Sequence, residues 1–306
     1  MTILTVLLVS LALVTIVHAF LLVRTAIARR AWKPRGEAVA VGAATNFFDT
    51  LGIGSFAPTL AWLKLRTDVP DRIIPCTMIV SHTLPTLVQA TIFLALLGVH
   101  VDPVLLVGSG FALLMGGLMG VPLVARTRIW IVRAVVGCAL LIAAGLYALT
   151  NLDLMPGGGT AAALPPLLTG VAVVASFVMG ILLNFGVGNY APTLIMLSLM
   201  GLDPRLAFPI MALGASFTIA GVGARHITAG TIDLKTAMSF AIGGVPAVLV
   251  AAFVVRSMPV EMLRWLVILV VVYAAAVMLR QAWKRQDEAP ACEEDVSDPA
   301  AAVGSA

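Results

Sequence analysis

The chain has 306 residues, of which 60% are apolar and only 11% are charged, and its mean hydropathy is +1.06. A soluble domain carries roughly a quarter of its residues as charged side chains, so this composition excludes a soluble fold and predicts an integral membrane protein. The net charge of +4 is explained by basic loops that flank membrane spans. No basic patch interleaved with aromatic residues occurs, so nucleic acid is excluded as a partner.

Apolar segments of the length needed to cross a bilayer follow one another along the chain. They cover residues 2–23, 37–63, 73–97, 104–125, 129–150, 165–200, 207–223, 236–255 and 262–279. The first is predicted to be a retained span, because its positive charges (Arg24, Arg29, Arg30, Lys33 and Arg35) follow the apolar run, whereas a signal peptide carries them before it. The polar, acidic segment 280–306 is predicted to be a disordered cytoplasmic tail.

Two parts of the chain repeat each other. Residues 52–60 (GIGSFAPTL) match residues 186–194 (GVGNYAPTL) at an offset of 134, and the same offset places Pro75 on Pro209. The chain is therefore predicted to contain two membrane repeats, 37–150 and 165–279, joined by a loop at 151–164. Residues 1–36, an extra N-terminal span and a basic cytoplasmic loop, stand outside the duplication.

The distribution of positive charge predicts how the repeats sit in the membrane. If segments 37–63 and 165–200 each crossed completely, the 19 Lys and Arg residues would divide almost evenly between the two sides. If each were a re-entrant hairpin, only Arg205, Arg256 and Arg264 would lie outside, as the positive-inside rule prefers. The predicted fold is therefore an all-α polytopic membrane protein with seven full spans. It is an inverted repeat of one re-entrant broken-helix hairpin plus three spans, with the N-terminus outside and the C-terminus cytoplasmic.

The duplicated motif is predicted to break a helix and to form a binding site. Gly52 and Gly54 permit positive φ, and Pro58 suits the first turn of a new helix. A helix N-terminus offers free N–H groups and partial positive charge, so two such ends at the midplane would bind an anion. The candidate substrate-binding residues are Gly52, Gly54, Ser55, Thr59, Gly186, Gly188, Asn189 and Thr193. The alternative is that the small residues only allow close helix packing.

A few polar residues inside the apolar segments form a second candidate set. Asp49 is expected either to carry a coupling proton or to cap the broken helix, and the second repeat has Leu183 there, beside Asn184. His82 and Gln89 share a helix face with Thr86, and His82 corresponds to Ser216. The alternative role for this face is interhelical hydrogen bonding. The set assigned to proton coupling or a polar network is Asp49, His82, Gln89, Asn46, Asn184 and Ser216.

At these motifs the sequence resembles the TauE/SafE family of sulfite-exporter-like permeases. Residues 46–59 (NFFDTLGIGSFAPT) look like the first-half signature of that family, residues 184–188 (NFGVG) look like its second, and the resemblance extends over about residues 37–279. It implies transport of sulfite, an organosulfonate, thiosulfate or another organic anion, coupled to an ion gradient. Some related thiosulfate carriers use reactive cysteines, but neither bend of this chain contains one.

The functional expectation is a secondary transporter for a small anion, a multi-pass protein of the bacterial inner membrane. Its predicted partners are the anionic substrate and the lipid bilayer, with a coupling proton or ion and a homo-oligomer left open. No metal or cofactor is predicted, because the three cysteines are scattered and form no Cys/His cluster. The alternatives are a passive anion channel or, less favoured, a scaffold or a membrane-embedded enzyme, for which HExxH and GxSxG motifs are lacking.

Overall fold

The computed structural model describes most of the membrane region. The described residues are 3–52, 54–67, 69–70, 73–97, 100–124, 128–152, 159–183 and 189–284. Part of the predicted linker (153–158) and most of the predicted tail (285–306) lie outside the described residues, as do the candidate site residues Gly186, Gly188 and Asn184.

The described residues fold into helices joined by short connections. The helices are α1 (Ile3–Ala28), α2 (Gly36–Thr50), α3 (Phe56–Arg66), α4 (Ile74–Leu97), α5 (Pro103–Val124), α6 (Ile129–Asn151), α7 (Pro166–Leu183), α8 (Tyr190–Leu199), α9 (Pro204–Ala229), α10 (Leu234–Ser257) and α11 (Val260–Trp283). Eight of the described helices are long and apolar enough to cross a membrane. This confirms the predicted all-helical, polytopic membrane class.

Helix α1 shows why this fold requires lipid. Its buried residues, Leu11, His18, Leu22 and Ala26, form one stripe, while apolar side chains such as Leu13, Ile16 and Phe20 are more than half exposed. Water would make such a surface costly at about 25 cal/mol per Å² of apolar area, whereas hydrocarbon does not.

Helices α2 and α3 form the first hairpin (Gly36–Arg66). The carboxylate of Glu37, at the start of α2, accepts a hydrogen bond of 3.0 Å from Trp62 Nε1 and one of 3.4 Å from Arg66 Nε. Trp62 and Arg66 belong to the last turns of α3. The chain therefore returns to the end of the molecule from which α2 started.

Helices α7 and α8 form the second hairpin (Pro166–Leu199). Ala161, just before α7, pairs with the turn after α8, since its N–H donates to Gly201 O at 3.0 Å and its carbonyl accepts from Asp203 N–H at 2.9 Å. With 18 residues, α7 is long enough to count among the eight candidate spans. The charge pattern of the sequence predicts a hairpin limb at this position and seven full spans.

The two hairpins close at opposite ends of α9, which is about 39 Å long at 1.5 Å per residue. Asp203, beside the second hairpin, is the N-cap of α9. Asp233, just beyond the other end of α9, lies 3.8 Å from Arg35 at the start of the first hairpin. We refer to these as the Asp203 end and the Glu37 end of the molecule.

Glycines bring each hairpin against the opposite half of the chain. Helix α2 packs on α10 and α7 packs on α5, and these are equivalent pairs under the duplication. A Cβ on Gly243 of α10 would overlap the backbone carbonyl of Val39, and one on Gly116 of α5 would overlap that of Phe177. The backbones are therefore too close for a side chain at either contact.

Candidate functional site

The first bend separates α2 from α3. Gly52 and Gly54 have φ values of +95° and +86°, in the region that favours glycine. Helix α3 then begins at Phe56, two residues before Pro58, as the sequence predicts for a helix that starts near Ala57.

Asp49 and Ser55 hold this bend together. The buried Asp49 carboxylate accepts hydrogen bonds from the Ser55 hydroxyl and the Ser55 backbone N–H. Asp49, near the end of α2, therefore ties that helix to Ser55, the residue that precedes α3. Because Ser55 is used in this way, its side chain makes no capping bond to the first turn of α3.

His82 of α4 links both limbs of the first hairpin. Its Nδ1 lies 2.9 Å from Asn46 Oδ1 on α2, and its Nε2 lies 3.0 Å from Thr59 Oγ1 on α3. The Asn46 amide nitrogen donates to Gly42 O at 2.7 Å, which leaves Oδ1 as the acceptor facing the imidazole. His82 Nδ1–H therefore donates to Asn46, and Nε2 of a neutral ring accepts from the Thr59 hydroxyl.

Aromatic rings enclose this network. The His82 ring centroid lies 5.5 Å from that of Phe56 and 5.5 Å from that of Phe240. His82, Asn46 and Thr59 are at most 1% exposed. Their polar groups hydrogen-bond one another, so this network holds α2, α3 and α4 together and does not form an open binding surface.

The second bend is only partly visible, because Gly186, Gly188 and Asn184 lie outside the described residues. Helix α8 begins at Tyr190, with Asn189 as its N-cap. The Asn189 amide donates to Met211 O of α9 at 3.4 Å and makes no side-chain bond to the first turn of α8. At both bends, therefore, the N-cap side chain is occupied elsewhere and does not cap the new helix.

Three buried side chains beside the second bend have polar atoms that are not hydrogen-bonded within the described part of the chain. They are Gln89 Nε2, Tyr190 Oη and Thr193 Oγ1. Gln89 and Thr193 are 1% exposed and Tyr190 is 9% exposed. Since buried polar groups are normally paired, this group of unpaired atoms is a candidate site for a polar ligand. We refer to the three residues as the donor cluster.

The donor cluster lies close to the first bend. The Tyr190 hydroxyl lies beside the Gln89 side chain and near the Asp49 carboxylate. A Cβ placed on Gly52 would lie 3.6 Å from Leu194 Cδ2, one residue beyond Thr193. The structure thus brings Asp49 near Tyr190 and Gly52 near Leu194, so the first bend lies beside the start of α8.

The polar face of α4 joins the two regions. His82 contacts the first hairpin, and Gln89, seven residues later, lies beside Tyr190 of the second. Thr86 lies between them and is also buried. One helix therefore touches both broken elements.

Ser216 does not join this arrangement in the way its correspondence with His82 suggests. Its hydroxyl donates to Leu213 O of its own helix at 2.9 Å. Tyr190 is the residue that the candidate sets omit. The sequence does distinguish this position, because Tyr190 carries a hydroxyl where the first copy of the motif has Phe56.

A metal centre has no support in the described part of the chain, where no group of three or more His, Cys, Asp or Glu residues could hold an ion. The donor cluster is uncharged, and each of its three side chains can donate a hydrogen bond. Together with the uncapped N-termini of α3 and α8, such a cluster suits a ligand that accepts hydrogen bonds, above all an anion.

Comparison with known proteins gives a match to one family. Residues 167–305, slightly less than half of the chain, match the family model described as "Sulfite exporter TauE/SafE". No curated protein and no solved structure matches the chain. The matched region begins with α7 and contains the second hairpin and the donor-cluster residues Tyr190 and Thr193.

Proposed function

We propose that this chain, whose second half matches the TauE/SafE family of membrane transporters, is a secondary transporter for a small oxyanion or organosulfonate. The observation that carries the proposal is the donor cluster, three buried side chains that each keep one polar atom without a hydrogen bond of good geometry among the described residues. An unpaired buried polar group costs roughly 1–3 kcal/mol, so a protein retains such groups where a ligand pairs with them.

The chemistry of the site favours an anion over a cation or a neutral solute. Gln89 offers an amide N–H, and Tyr190 and Thr193 each offer an O–H. Helices α3 and α8 add backbone N–H groups at their first turns, where the helix dipole contributes partial positive charge. Sulfite, sulfonate and carboxylate groups present several acceptor oxygens in a small volume and match this set.

The positions of the two hairpins support alternating access as the proposed mechanism. The hairpins close at opposite ends of α9, and their bends approach each other at Gly52 and Leu194. This is the arrangement expected of inverted repeats whose broken helices share one central site. In our proposal the site opens to one side of the membrane when the packing of one hairpin loosens, and to the other side when the second does.

Asp49 is proposed to couple transport to protons. Its carboxylate lies near Tyr190, so an anion bound at the donor cluster would be repelled by the negative charge of Asp49. Two like charges at one site disfavour each other. Protonation of Asp49 and binding of the anion therefore favour each other, and by linkage the proton and the anion travel together.

Transport in proteoliposomes tests this function. Purified protein is assayed with sulfite, sulfoacetate, thiosulfate and small carboxylates, under an imposed pH gradient and without one. Tyr190→Phe removes one donor while keeping the ring, and Tyr273→Phe removes the hydroxyl of a partly exposed tyrosine on α11 as the matched control.

Saturable, concentrative uptake of one of these anions, weakened by Tyr190→Phe and unchanged by Tyr273→Phe, supports the proposal. Flux that only follows the anion gradient and does not saturate indicates a channel. No flux of any anion in the panel would contradict the proposed function.

The orientation in the membrane is tested separately. We propose that the Glu37 end faces the cytoplasm, because the sequence places most Lys and Arg residues on that side. Lys64→Cys and Ala163→Cys, each in a background with the three native cysteines replaced by alanine, report on the two ends. A membrane-impermeant maleimide applied to intact cells should label the Ala163→Cys variant and spare the Lys64→Cys variant. The reverse result would invert the topology.

A further inference from the structure

We propose a second oxyanion site in a cleft at the Asp203 end, separate from the donor cluster. The cleft has a volume of about 380 Å³ and lies where α4, α9 and α10 meet the segment that precedes α7. The residues that carry the inference are His100, Thr160, Asp203, Arg205 and Arg256. Anion binding in the cleft stands on its own, and its role in transport rests on the proposed function.

The charge of the cleft is positive. Arg205 is neutralised by Asp203, since its guanidinium donates to the two carboxylate oxygens at 3.3 and 3.0 Å. Arg256 projects from the last turn of α10 into the same cleft and makes no ion pair with any described residue. One uncompensated guanidinium therefore remains beside the Thr160 hydroxyl and the His100 imidazole.

A further basic residue, Arg264, lies near the cleft at the Asp203 end of the molecule. Arg264 of α11 donates from Nη2 to Gly159 O at 3.2 Å, immediately before Thr160. Arg205, Arg256 and Arg264 are also the three positive residues that the charge distribution assigns to the outer side. With one carboxylate and two guanidinium groups in its lining, the cleft has an excess of positive charge, which attracts negatively charged ligands.

The cleft is in line with the donor cluster along α4. Leu97 lines the cleft, and Gln89 lies eight residues earlier on the same helix, about 12 Å away along its axis. Between them Phe93 packs against Phe208 of α9, with ring centroids 5.1 Å apart and both side chains fully buried. In this proposal the cleft is the outer entrance to the transport site, and the Phe93–Phe208 pair separates the two.

The ligand is an oxyanion group held by a guanidinium and a hydroxyl. A free sulfite, sulfate or carboxylate supplies this chemistry, and so does the phosphate of an anionic lipid headgroup. Arginine binds such groups strongly because its planar donors match two oxygens at once.

Charged thiol reagents test the site without depending on transport. Ala162→Cys, at an exposed residue that lines the cleft, is made in the same cysteine-free background, and the protein is placed in nanodiscs of phosphatidylcholine. The rate of modification is measured with an anionic sulfonate-bearing methanethiosulfonate and with a cationic trimethylammonium one. Ala163→Cys, the neighbouring exposed residue, provides a second reporter if the first variant folds poorly.

Arg256→Gln should lower the ratio of anionic to cationic modification rates by about five- to tenfold, since removing one unit charge acts on the two reagents in opposite directions. Arg280→Gln, at the far end of α11, should leave the ratio unchanged. Sodium sulfate at constant ionic strength should slow modification of the single-cysteine variant that retains Arg256, and it should not slow modification once Arg256→Gln is added.

The lipid source is separated by a second set of nanodiscs that contain phosphatidylglycerol. Protection by sulfate in phosphatidylcholine identifies a free oxyanion, and protection by phosphatidylglycerol alone identifies a headgroup, and each supports the site. If neither protects and Arg256→Gln leaves the ratio unchanged, the site does not exist. Because no flux is measured, a failed transport assay leaves this result standing.

Discussion

Thr193 and Thr59 occupy matching positions of the duplicated motif, and replacing each with valine should have opposite effects on stability. Valine has the shape of threonine with a methyl group in place of the hydroxyl. Thr193 Oγ1 is buried and unpaired within the described structure, whereas Thr59 Oγ1 hydrogen-bonds His82 at 3.0 Å. The pair therefore compares an unused hydroxyl with a used one in the same local context.

The expected magnitudes follow from the cost of unpaired polar groups. Thr193→Val removes a desolvated hydroxyl and should stabilise the ligand-free protein by about 1 kcal/mol. Thr59→Val leaves the Nε2 atom of His82 buried without a partner and should destabilise it by roughly 1–3 kcal/mol. Anion binding should respond differently from stability. A hydrogen bond to a charged ligand contributes about 1.5–3 kcal/mol, so Thr193→Val should weaken binding of the proposed anion by about tenfold or more.

The assay is thermal unfolding of the detergent-solubilised protein with and without the anion, together with the KM for uptake. Thr193→Val should raise Tm in the absence of anion, by roughly 2–4 °C for each kcal/mol, and should reduce the additional rise that the anion gives. Thr169→Val, in a helix where the hydroxyl already bonds Leu164 O, is the control. A lower Tm for Thr193→Val, with unchanged anion affinity, would refute the assignment of the donor cluster as a binding site.

Three further changes test other parts of the structure. Asp49→Asn keeps an acceptor for Ser55 and removes the charge, so the protein should fold while its uptake stops responding to an imposed pH gradient; a persisting response would exclude Asp49 as the proton carrier. Gly244→Ala places a Cβ 2.7 Å from Asn46 Nδ2 and should lower the free energy of unfolding by about 1–3 kcal/mol. Gly221→Ala, at an open position inside α9, should not lower it in the same denaturation measurement, because alanine favours a helix more than glycine does. Phe93→Ala should allow anions to leak down their gradient in proteoliposomes, and a tight variant would show that the ring is not the barrier between cleft and site.

The broken helices could be predicted because the determining chemistry is local. Glycine at positive φ and proline in a first turn are properties of a few consecutive residues, and the structure begins α3 and α8 within a residue or two of the expected positions. The all-helical membrane class follows from composition in the same way. The length of α7 was less predictable, because a hairpin limb and a full span have the same apolar character.

The pairing of polar side chains could not be predicted, because it depends on contacts between distant segments. His82 meets Asn46 and Thr59, which lie 36 and 23 residues away in the sequence, and nothing in their spacing sets which nitrogen meets which residue. The periodicity of α4 does predict that His82 and Gln89 share a face. It does not indicate that the first residue is satisfied by hairpin contacts and the second is left free for a ligand.

Helix α4 contains Pro85 between His82, which contacts the first hairpin, and Gln89, which lies beside Tyr190. A proline at this position favours bending of the helix. Pro85 has no N–H to donate, so the carbonyl four residues earlier has no backbone partner, and α4 bends most easily at this point. Bending there would swing Gln89 away from Tyr190 while His82 remained fastened to the first hairpin. Under the proposed function, bending of α4 at Pro85 would therefore couple release of the anion to a change in how the two hairpins are held together.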